Sequence, residues 1–587
     1  MTQRPIEDYA LIGDTRTAAL CSSVGSIDWM AVPRFDSKPI FSRLVDEEGG
    51  HFTVCPMGDF QTSRSYSTGS AVLETRWRTS GGSISLREGM VVRASGDLLP
   101  QTLLVRHVSC DSGKVPLRIL YSPVHGFERR KPKLGRRGAA VVCSWDALAV
   151  SLACDRDIEV TPGSEVIHTL SRGEELTLIL TVADRAPLIS VTPERGNELL
   201  DETESWWRQW SSSLELPDET HDAMLRSFIT LRLLTYSPTA APVAAPTTSL
   251  PESIGGSDNW DYRFSWPRDA AIGLAAFLAV GRTEEAHAFM HWLLNAARIS
   301  RPRINVLYDI YGRTTGDETE ADVSGYRGSR PVRIGNAAAT QHQLDVYGWV
   351  LDTGYLLAKA QGSLHSETWR ALSSAADFVA EHWQEPDSGI WERRGAPRHY
   401  VHSKLMGWLA LDRAIKTAES LDVRDGRTER WQKERDLLAD EVRERGFDED
   451  LCSYVDSYDS HELDAALLLL PVLEFDPPDS ERVQGTIRAI RDQLEVREGL
   501  VYRFSDRIGE EGVFLPCCFW LVQALARTGK HDEAKDMFDR LMEHANDVGL
   551  FAEELDPASG AHLGNFPQAF THAALIQAGL AIGEARS

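Results

Sequence analysis

No two cysteines in this 587-residue sequence are spaced as CxxC. The eight are Cys21, Cys55, Cys110, Cys143, Cys154, Cys452, Cys517 and Cys518, and the one adjacent pair sits in an apolar run. This excludes a zinc ribbon and argues against a disulfide framework, so reduced, buried thiols are expected. No apolar run approaches the length that spans a bilayer. The opening MTQRPIEDYALIGD has no apolar stretch of the signal-peptide kind, so the cytoplasm is the expected compartment and no membrane partner is expected. Basic residues are too few for nucleic acid: 62 Lys and Arg face 87 Asp and Glu, a net charge of −25. A Walker P-loop, a GxGxxG after a strand, an HExxH and a GxSxG elbow are all missing. His342, His399, His402 and His572 lack compact metal-ligand spacing. Neither metal nor cofactor is expected. A neutral substrate fits this composition, and homo-oligomer formation is left open.

The chain is too long for one ordinary domain. It changes character near residue 200. Before that point, short alternating or β-branched runs are broken by turn signals: Thr17 to Val32, Ala71 to Val92, Leu103 to Tyr121, Ala139 to Ala153 and Glu165 to Val182. Many short strands of this kind predict an antiparallel β-sandwich over 1–195. A linking helix is predicted over 196–217. Its Trp206, Trp207 and Trp210 are spaced for an interdomain packing face, with a sugar platform as the alternative.

After Pro217 the apolar period becomes helical. Twelve helices are predicted, near 218–236, 268–280, 283–298, 336–360, 366–384, 399–420, 426–444, 461–473, 479–495, 513–528, 531–545 and 567–583. The stretch 279–297 lines up with 527–545, each holding a Gly, a basic residue, Glu-Ala and apolar positions at helical spacing. Six helical hairpins imply an (α/α)6 barrel over 218–587. An open solenoid is the alternative, but usually shows a more regular repeat. The Pro-, Ala- and Thr-rich 236–252 is either a plain connector or a cleft lining.

Loops before every second helix are long and rich in Trp, Arg, Asp, Glu and His. If those helices form the inner ring, the loops converge on one mouth, where a site belongs. The mixture suits sugar: aromatic faces stack on pyranose rings, and Arg with Asp binds hydroxyls. Three tryptophans precede residue 200 and thirteen follow it, which agrees with this, although a large helical barrel needs big core side chains anyway. Glycoside hydrolysis needs two carboxyl groups flanking the bond. Glu392 in IWERR and Glu553 in FAEELD stand out, each after an apolar residue near a loop start; Glu554 rivals Glu553.

These segments resemble glycoside hydrolase family 15, the glucoamylase and bacterial trehalase family, in the branch with an N-terminal β-sandwich. The likeness rests on five segments in order. They are IEDYALIGDTRTAAL with GSIDWMAVPRFDS; LTYSPTAAPVAAPTTSLPE followed by NWDYRFSWPRDA; GYRGSRPVRIGNAAATQHQLDVYG; GIWERRGAPRHYVHSKLMGWLALDRA; and FAEELDPASGAHLGNFPQAFTHAALI. The resemblance implies Glu392 as general acid and Glu553 as general base. It implies Arg268 and Asp269 as the pair holding the terminal glucose, with Trp266 and Tyr308 stacking or hydrogen-bonding. Trp391 would line the same pocket, and Arg330 and His399 would be ligands of the sugar or of the catalytic carboxylates. Ile390 and Trp391 are expected to keep Glu392 protonated.

Two departures from the family pattern bear on substrate. Arg393 stands where fungal glucoamylases have a second acid. YDIYGRTTGDETE, with Tyr308, Asp309 and Tyr311, replaces the usual YGIDGER. No starch-binding module is recognisable. The implied activity is an inverting, exo-acting hydrolase of short α-glucosides, trehalose prominent among them. The alternatives are an inverting phosphorylase and a non-catalytic sugar-binding protein.

Overall fold

The computed structural model describes residues 3–92, 101–156, 158–423 and 426–584; the outermost ends of the two expected domains, 1–2 and 585–587, lie outside these. The N-terminal domain is built on one 22-residue strand, Gln101–Ser122. Its first half pairs antiparallel with Gly82–Met90 on one side and Glu175–Asp184 on the other. Its second half pairs with His51–Pro56 and Glu165–Ser171. The strand passes from one sheet to the next at Gly113, where φ is +70° and a Cβ would sit 2.0 Å from the Gly81 carbonyl oxygen. Only glycine fits there.

Three of the predicted runs are hairpins, whereas the two strands of the run Glu165 to Val182 both pair with the long strand instead of with each other. Ala18–Ser22 pairs with Ser26–Ala31, Leu73–Thr79 with Gly82–Met90, and Ala140–Trp145 with Leu148–Cys154. Strands at Tyr9–Gly13, Pro39–Phe41, His51–Pro56, Phe60–Tyr66 and Lys133–Arg137 carry no sharp alternation and were not among those runs. Six cysteines are buried as expected; Cys452 is exposed, on a turn with φ +49°.

Arg106 and Glu88 lie between the two sheets with no exposed side-chain surface. Arg106 Nε donates to Glu88 at 2.8 Å, and its Nη groups donate to the carbonyls of Phe52 and Gly25. Removing one partner strands a buried charge, so Arg106→Met should cost about 3–5 kcal/mol. A fall of that size in the urea unfolding free energy would confirm it; a change under about 1 kcal/mol would mean the pair is not what joins the sheets.

The linking helix α1 spans Pro193–Ser211, capped by Thr192, with Pro193 in its first turn. It starts three residues before the expected position. Trp206, Trp207 and Trp210 pack edge to face, and Trp210 meets Phe277 of the barrel. The packing reading is the one the structure supports.

The twelve barrel helices follow as α2 (His221–Leu233), α3 (Pro267–Ala279), α4 (Thr283–Ala296), α5 (Asp345–Gln361), α6 (Ser366–His382), α7 (Val401–Ser420), α8 (Arg427–Arg445), α9 (Leu470–Leu473, continuing a 3₁₀ turn from Ala465), α10 (Glu481–Leu494), α11 (Leu515–Arg527), α12 (His531–Met542) and α13 (Ala569–Glu584). Helices α3, α5, α7, the α9 segment, α11 and α13 touch in sequence and close back on α3. The other six lie outside them. Burial shows the difference: every residue of α11 but Arg527 is buried, whereas α12 buries only Ala534, Met537, Phe538 and Leu541, one helical stripe. The two aligned segments are equivalent joints. Gly281 and Gly529 both take φ near +80°, and the next residue's N–H reaches back to Phe277 and Leu525 respectively. The α9 segment is short: it starts at Leu470 after the 3₁₀ turn, with Pro471 in its first turn, and is ended by Glu474 in the left-handed conformation, φ +61°.

Among the described residues no helix is long and apolar enough to cross a membrane. The two domains meet through many specific contacts. Arg64 forks onto Asp547 at 2.7 and 2.6 Å, Trp29 Nε1 donates to the Pro246 carbonyl, and Arg263 Nη1 to that of Ser37.

Candidate active site

The loops before the inner helices enclose a cavity of about 270 Å³ at one mouth of the barrel. Trp266, Arg268, Asp269, Trp391, Glu392 and Glu553 all line it.

Trp266 is the extended residue before α3, and Pro267 fixes the turn into the helix. Arg268 and Asp269 therefore fall in the first turn of an inner helix, aimed at the mouth. Arg268 is buried and fully engaged. It contacts Asp269 Oδ1 at 3.1 Å, Gln343 Oε1 at 3.0 Å, Asp345 Oδ2 at 3.5 Å and Glu392 Oε1 at 3.0 Å. Burial pushes Asp269 up to about 6, with Arg268 acting against it.

Glu392 sits on a turn at φ +56°, an uncommon conformation for a residue with a side chain. Backbone strain of this kind collects at functional sites. Its carbonyl accepts from Gln341 Nε2 at 3.0 Å. Its Oε1 accepts from both Trp266 Nε1, at 2.8 Å, and Arg268 Nη2. Apolar neighbours were expected to dominate here. Instead the carboxylate faces two donors, while the Trp391 indole turns to Asp464 at 2.9 and 3.0 Å.

Glu553 sits on a bend just before the two-residue strand Glu554–Leu555, and the two side chains point to different sides. Glu553 faces the cavity. Its Oε1 accepts from Tyr262 Oη at 2.8 Å, and its buried Oε2 has no protein partner. Gly564, at φ +73°, passes so close that a Cβ there would lie 2.7 Å from Oε2. Burial first, and then the charge of Glu252, push Glu553 well above the usual carboxylate range; Arg503 and the Tyr262 hydroxyl act against them. Glu554 points away from the cavity. It accepts from the Gly512 N–H and lies 3.0 Å from Arg503 Nη2.

Three residues named from the sequence do not line the cavity. Tyr308 is buried behind it: its backbone bridges to Ser265, its hydroxyl accepts from the Asn305 N–H, and its ring meets Trp292. It supports the Trp266 strand from the core side. Arg330 is exposed and lies 3.5 Å from Asp322. His399 stacks on Tyr458, with ring centroids 5.6 Å apart. Each lies in a motif-rich loop, and motif content alone does not show which side of a loop faces the sugar.

Other lining residues were not singled out: Glu252, Trp260, Tyr262, Gln341 and Arg503. Trp260 and Tyr262 were inside a quoted motif, six and four residues before Trp266. Glu252 ends the connector that had been read as either plain or cleft-lining. Gln341 was hidden inside the predicted 336–360 helix. That helix begins only at Asp345, because Asn336 caps a 3₁₀ turn over Ala337–Thr340 and the chain then runs extended. The extended piece delivers Gln341 and Gln343 to the site.

Comparison with known proteins agrees with this geometry. The family model for Glycosyl hydrolases family 15 matches residues 218–580, and that for Trehalase-like, N-terminal matches 1–144. The chain is 37% identical to a trehalase of Mycolicibacterium smegmatis, over 98% of this chain and 90% of that protein. It is 33% identical to a trehalase of Thermoplasma volcanium, over 99% and 94%. A bacterial glucoamylase solved with acarbose shares the fold, with a TM-score of 0.72 at 12% identity, over 100% of this chain and 95% of that one.

Proposed function

Because the chain belongs to glycosyl hydrolase family 15 and is a glycoside hydrolase, we propose that it is an inverting, exo-acting enzyme that releases β-D-glucose from short α-glucosides, trehalose foremost. The observation that carries this reading is the pairing of two carboxyl groups on one small cavity. Glu392 stands beside Trp266 and Arg268, and Glu553 has one buried oxygen left free.

In this reading the terminal glucose enters the cavity and its hydroxyls engage Arg268 and Asp269. Glu392 gives a proton to the glycosidic oxygen, and the leaving sugar departs as an alcohol. Glu553 takes a proton from a water held at its free Oε2, and that water attacks the anomeric carbon from the opposite face. A buried carboxylate of raised proton affinity is a stronger base than one in water. The trehalase names of full-length relatives support trehalose over longer glucans.

The test is proton NMR of the protein with trehalose, maltose and isomaltose in separate tubes, watching the first anomer released. Early β-glucose from trehalose is the expected result. Early α-glucose alone from trehalose would indicate retention, whose carboxyl groups stand about 5–5.5 Å apart. Sugar release that requires phosphate would indicate a phosphorylase, and no turnover of any substrate would indicate a binding protein.

A further inference from the structure

Behind Glu553 lies a buried ionic cluster that the hydrolytic steps do not use. Arg503 Nη2 lies 2.6 Å from Glu252 Oε2, 2.8 Å from Glu511 Oε2 and 3.0 Å from Glu554 Oε1. Its Nε adds a second contact to Glu511 at 2.9 Å. All four side chains are at least nine-tenths buried. Three carboxyl groups thus surround one guanidinium, with Glu553 next in the chain to one of them. Arg507 adds some positive charge, 3.6 Å from Glu511.

Glu252 differs from the other two. It lines the cavity with Glu553, and both of its oxygens are held: Trp260 Nε1 donates to Oε1 at 3.0 Å and Arg503 to Oε2. Those two donors stabilise the ionised form. Burial pushes Glu252 itself up from the usual carboxylate range and Arg503 acts against it, so its negative charge on the cavity wall depends on that cation. We propose that Glu252 is a positioning residue for Glu553, anchoring Arg503 and setting, through its own charge, the pH at which Glu553 takes up a proton. This rests on the reading of Glu553 as the general base.

The charged and titratable groups facing Glu553 come from five segments. They are Glu252, then Tyr262 with Arg268 and Asp269, Glu392 from the acid loop, Arg503 with Glu511, and Glu554 from its own strand. Arg503 and the Tyr262 hydroxyl favour an ionised Glu553, and the carboxylates oppose it. Glu252 is the carboxylate that acts most strongly on it. Without that charge, burial is opposed by Arg503 with one raising influence fewer. Glu553 then ionises at lower pH and becomes a weaker base.

The experiment is a pH titration by carbon-13 NMR of protein labelled at the Glu carboxyl carbons. The signal lost in Glu553→Gln identifies Glu553, and no substrate is needed. In Glu252→Gln the Glu553 midpoint should fall by at least about one pH unit, and Glu252→Asp should bring it back toward the wild-type value. With a turned-over substrate, the acid limb of kcat should move the same way and KM should change little. A purely structural role would lower kcat or raise KM without moving that limb. An unmoved Glu553 midpoint in folded Glu252→Gln overturns the proposal. Glu511→Gln is the second variant, should Glu252→Gln fail to fold: a less neutralised Arg503 should also lower the midpoint, and an unchanged or raised midpoint overturns the proposal. Failure to hydrolyse trehalose would count against the substrate reading alone, since the titration does not depend on it.

Discussion

Glu553→Gln should lower kcat by about 10²–10⁴-fold, with KM within a few-fold of wild type. The amide keeps the size of the side chain and can still accept from the Tyr262 hydroxyl, but it cannot take a proton from water. Glu392→Gln should lose a similar factor on natural substrates. The two losses should separate on a substrate with a good leaving group, such as an α-glucosyl fluoride. There the departing fluoride needs no proton, so Glu392→Gln should recover much of its rate while Glu553→Gln should not. Steady-state kinetics on the two substrates decides the matter. Recovery by Glu553→Gln instead would exchange the two assignments, and equal, small losses in both would remove these residues from the chemistry.

Arg268→Met should give the largest combined loss of stability and activity. The guanidinium is the common partner of Asp269, Asp345 and Glu392. Asp345 is completely buried and is already pushed up by burial, with Arg268 the main opposing influence. Removing the cation leaves buried carboxylates uncompensated, at a cost of about 3–5 kcal/mol at neutral pH. The cost should depend on pH. Both aspartates would hold protons more tightly in the folded variant than in the unfolded chain, where an Asp titrates near 3.9. Groups raised in this way favour the folded state at low pH and withdraw that support as pH rises. The deficit against wild type should therefore be smallest in acid and grow toward neutrality. Urea unfolding at a series of pH values measures it. A deficit independent of pH would mean that lost packing, not stranded charge, is responsible.

What the sequence made legible follows from which signals are local. The change from period two to period 3.6 near residue 200 separates strands from helices, and the twin segments at 279–297 and 527–545 reveal the hairpin unit. Both patterns depend only on neighbours along the chain. WPRD was legible for the same reason: Pro267 fixes a helix start, and Arg268 and Asp269 must follow in its first turn. Glu553 could not be distinguished from Glu554 by residue type. Glu554 is held by pairing with Phe514 and Leu563 while Glu553 sits on the bend before it, so partners distant in sequence decide which of the two enters the cavity. Tyr308, Arg330 and His399 misled because a loop rich in sugar-binding residue types has two sides. Glu252 and Arg503 were unreadable as a pair because 251 positions separate them. Their meeting is a property of ring closure.

The contact between Arg263 and the Ser37 carbonyl ties the N-terminal domain to one wall of the candidate site. Arg263 also grips Asp261 with two hydrogen bonds, at 2.8 and 2.7 Å, and the segment so pinned carries Trp260, Tyr262 and Trp266 into the cavity. One wall of the pocket is therefore a cantilever whose footing lies in the other domain. An engineer who grafts a new sandwich onto this barrel, or trims the old one away, disturbs the segment that carries Tyr262 and with it the hydrogen bond to Glu553. For this chain, inheritance of the pocket is tied to inheritance of its neighbour.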